Sequence, residues 1–401
     1  MDMDRRQIRL VAAGIAMVGT TFGLARYGYG LLLPEIRRSF GLSSAALGLI
    51  ATGSYVAYLL ATAGMATIGD RLGPRRPVLL GGLTATLGMV LIAVASSPYV
   101  LALGVVVAGV SAALAYPPFS EAVATELARP SRGRALSMIS SGTGWGVALA
   151  VPVALVVGAS WRTAWAVFAA MAVLATALAA SALRPRETTR SSARGSLPPL
   201  SWSWFVCPRS GPLLAGALLV GAGASVYWTF AADFASSGPA GRAAGPVLLG
   251  VVGVSSVLGS VAGDVLERVG GRRAMRWSAA ALAGSMGVLA IWHDSWAGIV
   301  LSAAAFGSTY NLLLAVQAIW SGHVFSQRPA TGLAAMLFML GLGQIAGPVL
   351  AGVLADGVGL TAAFVAGGAA IALVGLLPPR EELRASGAAA SGRAGPHPSA
   401  G

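Results

Sequence analysis

An all-α membrane protein of twelve transmembrane helices, paired as two pseudo-symmetric six-helix bundles, is the fold class this sequence predicts, and three observations carry the prediction. Of 401 residues, 56% are hydrophobic and only 10% are charged, where soluble domains carry roughly 25% charged residues. The apolar residues gather into twelve separate runs. A seven-residue loop pattern also recurs in the two halves of the chain. Twelve helices of about 22 residues use about 264 positions and leave roughly 137 for ends and loops. That remainder excludes a sizeable globular enzyme domain.

The elements follow in order. The first run covers about 10 to 33 and ends before Glu35, Arg37 and Arg38; the second covers about 45 to 68 and stops at Asp70-Arg71. The third, about 77 to 96, and the fourth, about 100 to 124, are parted by Ser96-Ser97-Pro98, a turn sequence. The fifth, about 135 to 158, follows the Arg-rich stretch Arg129 to Arg134, and the sixth covers about 161 to 183. Residues 184 to 210 then carry Arg184, Arg186, Arg190, Arg194 and Pro198-Pro199, which reads as a flexible cytoplasmic linker. A second set follows at about 212 to 235, 246 to 266, 275 to 293, 297 to 320, 331 to 355 and 360 to 378. The Gly/Ala/Ser-rich tail after Pro379 is expected to be disordered. The expected units are therefore 1–183, a linker 184–210, a second bundle 211–379 and a tail 380–401.

The formal net charge of +13 invites a nucleic-acid reading, so the placement of the charges decides. All 27 basic residues are Arg, of which 22 fall on the face with both termini and four, Arg37, Arg38, Arg162 and Arg242, on the other. This bias predicts cytoplasmic termini in an inner (plasma) membrane. The surplus Arg then meets lipid headgroups, not nucleic acid. Arg5-Arg6 before an apolar run resembles a secretory signal, but eleven further runs make that reading unnecessary. Cys207 is the one cysteine and can form no internal disulfide. His293, His323 and His397 fall in loops or the tail without a ligand cluster, so no metal is expected. The GxxxxGK[ST] phosphate loop is absent, no cofactor is implied, and energy has to come from a gradient.

The repeat is explicit. Asp70-Arg71-Leu72-Gly73-Pro74-Arg75-Arg76 after run 2 matches Glu267-Arg268-Val269-Gly270-Gly271-Arg272-Arg273 after run 8, and the stretch from Arg129 to Ala135 matches that from Arg328 to Ala334. Two matches at nearly one offset imply duplication of six spans. On these residues the chain resembles the major facilitator superfamily over about 8 to 378. The loop motif of that superfamily falls on Ala66, Asp70, Arg71, Gly73, Arg75 and Arg76, with Ala in place of its opening Gly; the second copy keeps Gly263 and has Glu267 for Asp.

The resemblance implies secondary transport by alternating access and no catalysis, with a small molecule, the bilayer and optionally a proton as partners, in a monomer. It also implies a cytoplasmic latch in Asp70, Arg71, Gly73, Arg75 and Arg76 and in Glu267, Arg268, Gly270 and Arg272, whose alternative role is to anchor topology. Drug antiporters carry a Gly-Pro pair in span 5 and an Arg in span 4; here Gly146 precedes Val147, and Val105 stands near the second place.

Arg26 is the most informative residue for the site. An Arg this far into a span costs roughly 2.5 to 3.5 kcal/mol on insertion scales, so it needs a partner or water. Its planar fork suits a carboxylate or similar anion, while an internal ion pair or snorkelling is the competing role. Asp233 and Glu121 are the candidate coupling or gate residues, with an Arg26–Asp233 contact as one outer gate. Tyr27, Tyr55, Tyr58, Trp145, Tyr227, Trp228, Tyr310, Asn311 and Gln344 are expected to line a central cavity. Buried amides need hydrogen-bond partners, which a wet cavity or a neighbouring helix supplies. The expected substrate is a small organic solute with an anionic group; the alternatives are export of hydrophobic compounds and a non-transporting sensor on the same fold.

Overall fold

The computed structural model describes residues 4–127, 129–158, 160–183, 210–256, 269–326, 329–377 and 379, omitting the side chains of 66, 68–71, 129, 130, 329 and 330. Most of the expected linker, the tail from 380, and Glu267 and Arg268 lie outside the described residues.

Among the described residues all regular structure is helical. The first run forms α1 (Arg5–Val18), a π-helical stretch (Gly19–Leu24), α2 (Gly28–Leu31) and α3 (Leu33–Phe40). The first half continues with α4 (Ser44–Leu72), α5 (Arg75–Ala93), α6 (Pro98–Glu126), α7 (Arg129–Val157) and α8 (Trp161–Ala182). The second half comprises α9 (Ser210–Ser236), α10 (Ala244–Ser255), α11 (Gly271–Trp292), α12 (Trp296–Val324), α13 (Pro329–Val358) and α14 (Leu360–Val374). Ten of the described helical segments are long and apolar enough to cross a membrane, and α10 and α14 are shorter apolar helices. Together they account for the twelve runs.

The halves repeat one packing scheme. In the first, α1 and its π-helical extension pack on α7, α4 on α6, α5 on α6 and α5 on α8; in the second, α9 packs on α13, α10 on α12, α11 on α12 and α11 on α14. Between the halves, α4 lies against α13, α7 against α10, and α2 with α3 against α9. Turn geometry carries the same duplication. The positive-φ residues among those described are six glycines, and they form three pairs: Gly41 with Gly241, Gly73 with Gly270 and Gly158 with Gly359. A left-handed turn is cheap only for Gly, so Gly73 and Gly270, the glycines of the loop motif, hold equivalent reversals.

Leu60, Leu80, Leu83 and Leu174 are exposed on the outer surface of the bundle, and Tyr99, Trp292 and Trp296 are exposed at helix ends. Apolar flanks with aromatic ends suit a bilayer and its two interfaces.

The first span departs from the uninterrupted helix its apolar run suggests. The amides of Ala25 and Tyr27 bond five residues back, to Thr20 and Phe22 carbonyls at 2.8 and 3.1 Å. Thr20 and Thr21 hydroxyls bond carbonyls one turn back, an interaction that bends helices. A Cβ at Gly23 would run into the Gly146 backbone of α7, which only paired glycines allow. The π-helical turn therefore sits where Gly lets α7 approach, and Arg26 lies two residues beyond its end. Such bulges recur at functional positions.

Candidate functional site

Arg26 is only 8% exposed, and the break in the first span turns it toward the junction of the halves. One terminal nitrogen, Nη2, donates to Gln344 Oε1 of α13 at 2.8 Å. The guanidinium carbon stands 3.9 Å from the ring centre of Tyr58 and 4.9 Å from that of Tyr55, with Phe22 and Tyr27 just under 6 Å. Among the described residues no carboxylate pairs with it, and Nε has no hydrogen-bond partner. Cation–π contacts return about 0.5 to 2 kcal/mol each at best, and a hydrogen bond from a charged group about 1.5 to 3. These hold the cation in place but leave it without a counter-charge.

The guanidinium faces a cavity of about 340 Å³ lined by both halves, with Phe22, Tyr58 and Tyr116 on one side and Trp228, Tyr310 and Gln344 on the other. A narrow second pocket behind Arg26 reaches Tyr55 and Thr229. Among the described residues no Asp or Glu lines either. Trp228 stacks on Tyr27 at 4.0 Å, joining the halves at the head of the cavity, and its buried indole N–H is unpartnered. From there the lining runs through Gly144 of α7, Ser256 after α10, Leu314 of α12 and Leu337 of α13, all toward the face that bears the N-terminus.

The opposite ends of the same helices are held together. Arg37 of α3 meets Asp233 of α9 at 2.7 Å and also donates to the Ser44 hydroxyl. Asp356, near the end of α13, accepts from the backbone amides of Ser44 and Ala45 at 2.7 and 2.9 Å. These are free donors at the start of α4, where a carboxylate is favoured. A Cβ at Gly48 would collide with the Pro348 carbonyl, and one at Gly30 with the Trp228 carbonyl. Backbones of the two halves thus touch on this face.

Tyr27, Tyr58, Trp228, Tyr310, Asn311 and Gln344 accompany Arg26 at the main cavity, and Tyr55 reaches it from behind. Asn311 donates to the Ser256 carbonyl at 3.3 Å. Two expected lining residues point elsewhere. Tyr227 is one helical step from Trp228, stacks on Phe306 at 3.8 Å and bonds Ser302 within the second half. Trp145 is 49% exposed, because its neighbours Gly144 and Gly146 are the ones that face α10 and the first span.

The expected Arg26–Asp233 contact is not made. Asp233 lies five residues beyond Trp228 on α9, roughly 7.5 Å further along the helix axis, and there Arg37 is its partner. Glu121 is exposed and lines neither pocket. In the loop motif, Arg75 donates to the Ala180 carbonyl at 3.5 Å within the first half, and Arg76 and Arg272 are exposed. The Asp70 and Arg71 side chains lie outside the description. Phe22, Tyr116 and Asp356 were not expected at the site; Tyr116 hydrogen-bonds Ser140 at 2.8 Å on the cavity wall. The Tyr116-Pro117-Pro118 break in an apolar run was the available signal for Tyr116, whereas Asp356 reads from sequence as a loop residue just past span 11.

Comparison with known proteins bears on the whole arrangement. The Major Facilitator Superfamily family model matches residues 15–262. YgaY, an uncharacterized transporter of Escherichia coli O157:H7, and its counterpart in Escherichia coli K12 are 29% identical over 248 residues, 59% of this chain and 61% of theirs. The match thus spans about three-fifths of those relatives. Among solved structures, the nucleoside transporter NupG superposes with a TM-score of 0.76 at 12% identity, covering 93% of this chain and 98% of its own. A bacterial homologue of the human lysosomal transporter Spinster, inward-facing and occupied, gives 0.72 at 16% identity, covering 94% and 97%. At such identities the likeness is one of fold.

Proposed function

The chain belongs to the major facilitator superfamily, and from that premise we propose that it is a secondary transporter moving a small organic anion by alternating access around Arg26. The observation that carries this reading is the pairing of a buried guanidinium, lacking a carboxylate partner among the described residues, with a cavity that both halves line. An anion entering there supplies the missing charge. Binding between the halves also lets one site face either side as they rock.

In this reading the protein sits in the bacterial inner membrane with both termini cytoplasmic, following its Arg distribution. The cavity then faces the cytoplasm. Arg37, Asp233 and Asp356 form the outer gate, and Asp233 is the residue through which a proton can act, because protonation removes the charge that holds Arg37. Glu121 is exposed and lines neither pocket, so in this reading it plays no part in coupling. The loop motif at Asp70, Arg71, Gly73 and Arg75, with its second copy at Glu267, Arg268, Gly270 and Arg272, latches the cytoplasmic face in the opposite state.

The aromatic lining favours a second reading, export of hydrophobic compounds. Reconstituted vesicles separate the two: protein-dependent flux of organic acids supports anion transport, and flux of neutral lipophiles without acids supports export. Binding without any flux would instead mark a sensor.

A further inference from the structure

The cavity's chemistry goes further than a preference for anions. Resting on the reading that substrate binds at Arg26, we infer that this substrate is a monoanion with an apolar body, and that zwitterions and dianions of the same size are rejected.

Three observations fix the class. Among the described residues, Arg26 is the single charged side chain lining the main cavity and the pocket behind it. One negative group neutralises it, and a second would enter an enclosure with no cation to meet it, which is costly. Among the described residues the same lining holds no carboxylate, so the ammonium of an amino acid finds only neutral oxygens there. The unsatisfied polar atoms close to the site are also donors. Arg26 Nε and Trp228 Nε1, on two residues that line the cavity, are both buried without partners, and a carboxylate or comparable oxyanion is the chemistry that matches such donors. Most of the rest of the wall is apolar or aromatic, from Phe22 and Tyr58 to Leu337 and Leu340, with Ser140, Thr143, Ser256 and Asn311 as neutral polar groups. It rewards an apolar body in van der Waals contact.

A matched panel tests this on the purified full chain by thermal stabilisation, since a ligand of the native state raises its apparent stability. The probes share one phenylalkyl body: 3-phenylpropionate (monoanion), phenylalanine (zwitterion), phenylsuccinate (dianion), 3-phenylpropionamide (neutral) and 3-phenylpropylamine (cation). The expected result is stabilisation by 3-phenylpropionate with the other four at least about tenfold weaker. Arg26→Gln loses the response to the acid, and the equally neutral Arg26→Met serves if that variant does not fold. Equal stabilisation by phenylalanine or phenylsuccinate, lost on substitution of Arg26, overturns the monoanion rule while leaving the anion site standing. Stabilisation by the amide or the amine alone, or no response to any acid, overturns both.

Discussion

Arg37 and Asp233 approach to 2.7 Å across the junction of the two halves, on the face away from the termini. Arg37 lies in the last turn of α3, Asp233 is the last charged group of α9, and neither belongs to the cavity. The pair therefore reports on the closure of that face, apart from the cavity at Arg26. Their side chains are 27% and 10% exposed, so truncating one leaves its partner poorly solvated, a change worth about 2 to 5 kcal/mol at protein interfaces.

Asp233→Asn should accordingly open the outer face more often. With Cys207→Ser and Thr229→Cys as the background, an impermeant thiol reagent added outside should label position 229 at least about tenfold faster in the Asn variant. An unchanged labelling rate would remove Asp233 from the gate.

Acid should act in the same direction. Protonating Asp233 cancels the charge that faces Arg37 and, at longer range, Arg38, so the seal weakens as the outer pH falls. The expected labelling rate rises on acidification in the Thr229→Cys background and is flat when Asp233→Asn is added. A response that survives Asp233→Asn and disappears in Asp356→Asn would transfer the role to the carboxylate capping α4.

Two glycine contacts that look alike should respond differently. Gly146→Ala places a Cβ against Gly19 inside the first half, where nothing can move apart, and Gly48→Ala places one against Pro348 of the other half. Overpacking costs about 1 to 3 kcal/mol. Gly146→Ala should lower the melting temperature, while Gly48→Ala should be relieved by parting of the halves, keeping its melting temperature and labelling faster from outside. Equal melting losses would mean that the contact between the halves is permanent.

How much of this the sequence disclosed depends on what each residue answers to. Spans follow from hydrophobicity, which is local, so the twelve runs reappear as helices. The duplicated loop names Gly73 and Gly270, and both adopt the turn that only Gly takes cheaply. Arg26 is legible because charge inside a span is expensive anywhere. Helix rotation is not legible: Tyr227 and Trp228 are adjacent and equally aromatic, yet only Trp228 faces the cavity. The same ambiguity placed Trp145 inside. Partner choice needs distances along the helix axis, which is why Asp233 was matched to Arg26 when Arg37 is the residue at its level. Asp356 was hidden for a further reason: its partners are backbone amides of Ser44 and Ala45, and amides leave no mark in a sequence.

Tyr58 supplies the closest ring to the guanidinium, at 3.9 Å. If the ring face holds Arg26 ready for substrate, Tyr58→Phe should keep affinity for an organic acid within about twofold, whereas Tyr58→Leu should weaken it about three- to fivefold, the equivalent of a partly exposed cation–π contact. Equal losses in both variants would assign the role to the hydroxyl instead.

The most direct test is equilibrium binding and vesicle flux of 3-phenylpropionate for wild type beside Arg26→Gln. The variant removes a buried charge that lacks a carboxylate, so its fold should be as stable as the wild type within about 1 kcal/mol. The account predicts intact folding with binding and flux both lost. Binding and flux that persist in a folded Arg26→Gln protein would show that Arg26 is a structural link to Gln344 and that the anion site lies elsewhere.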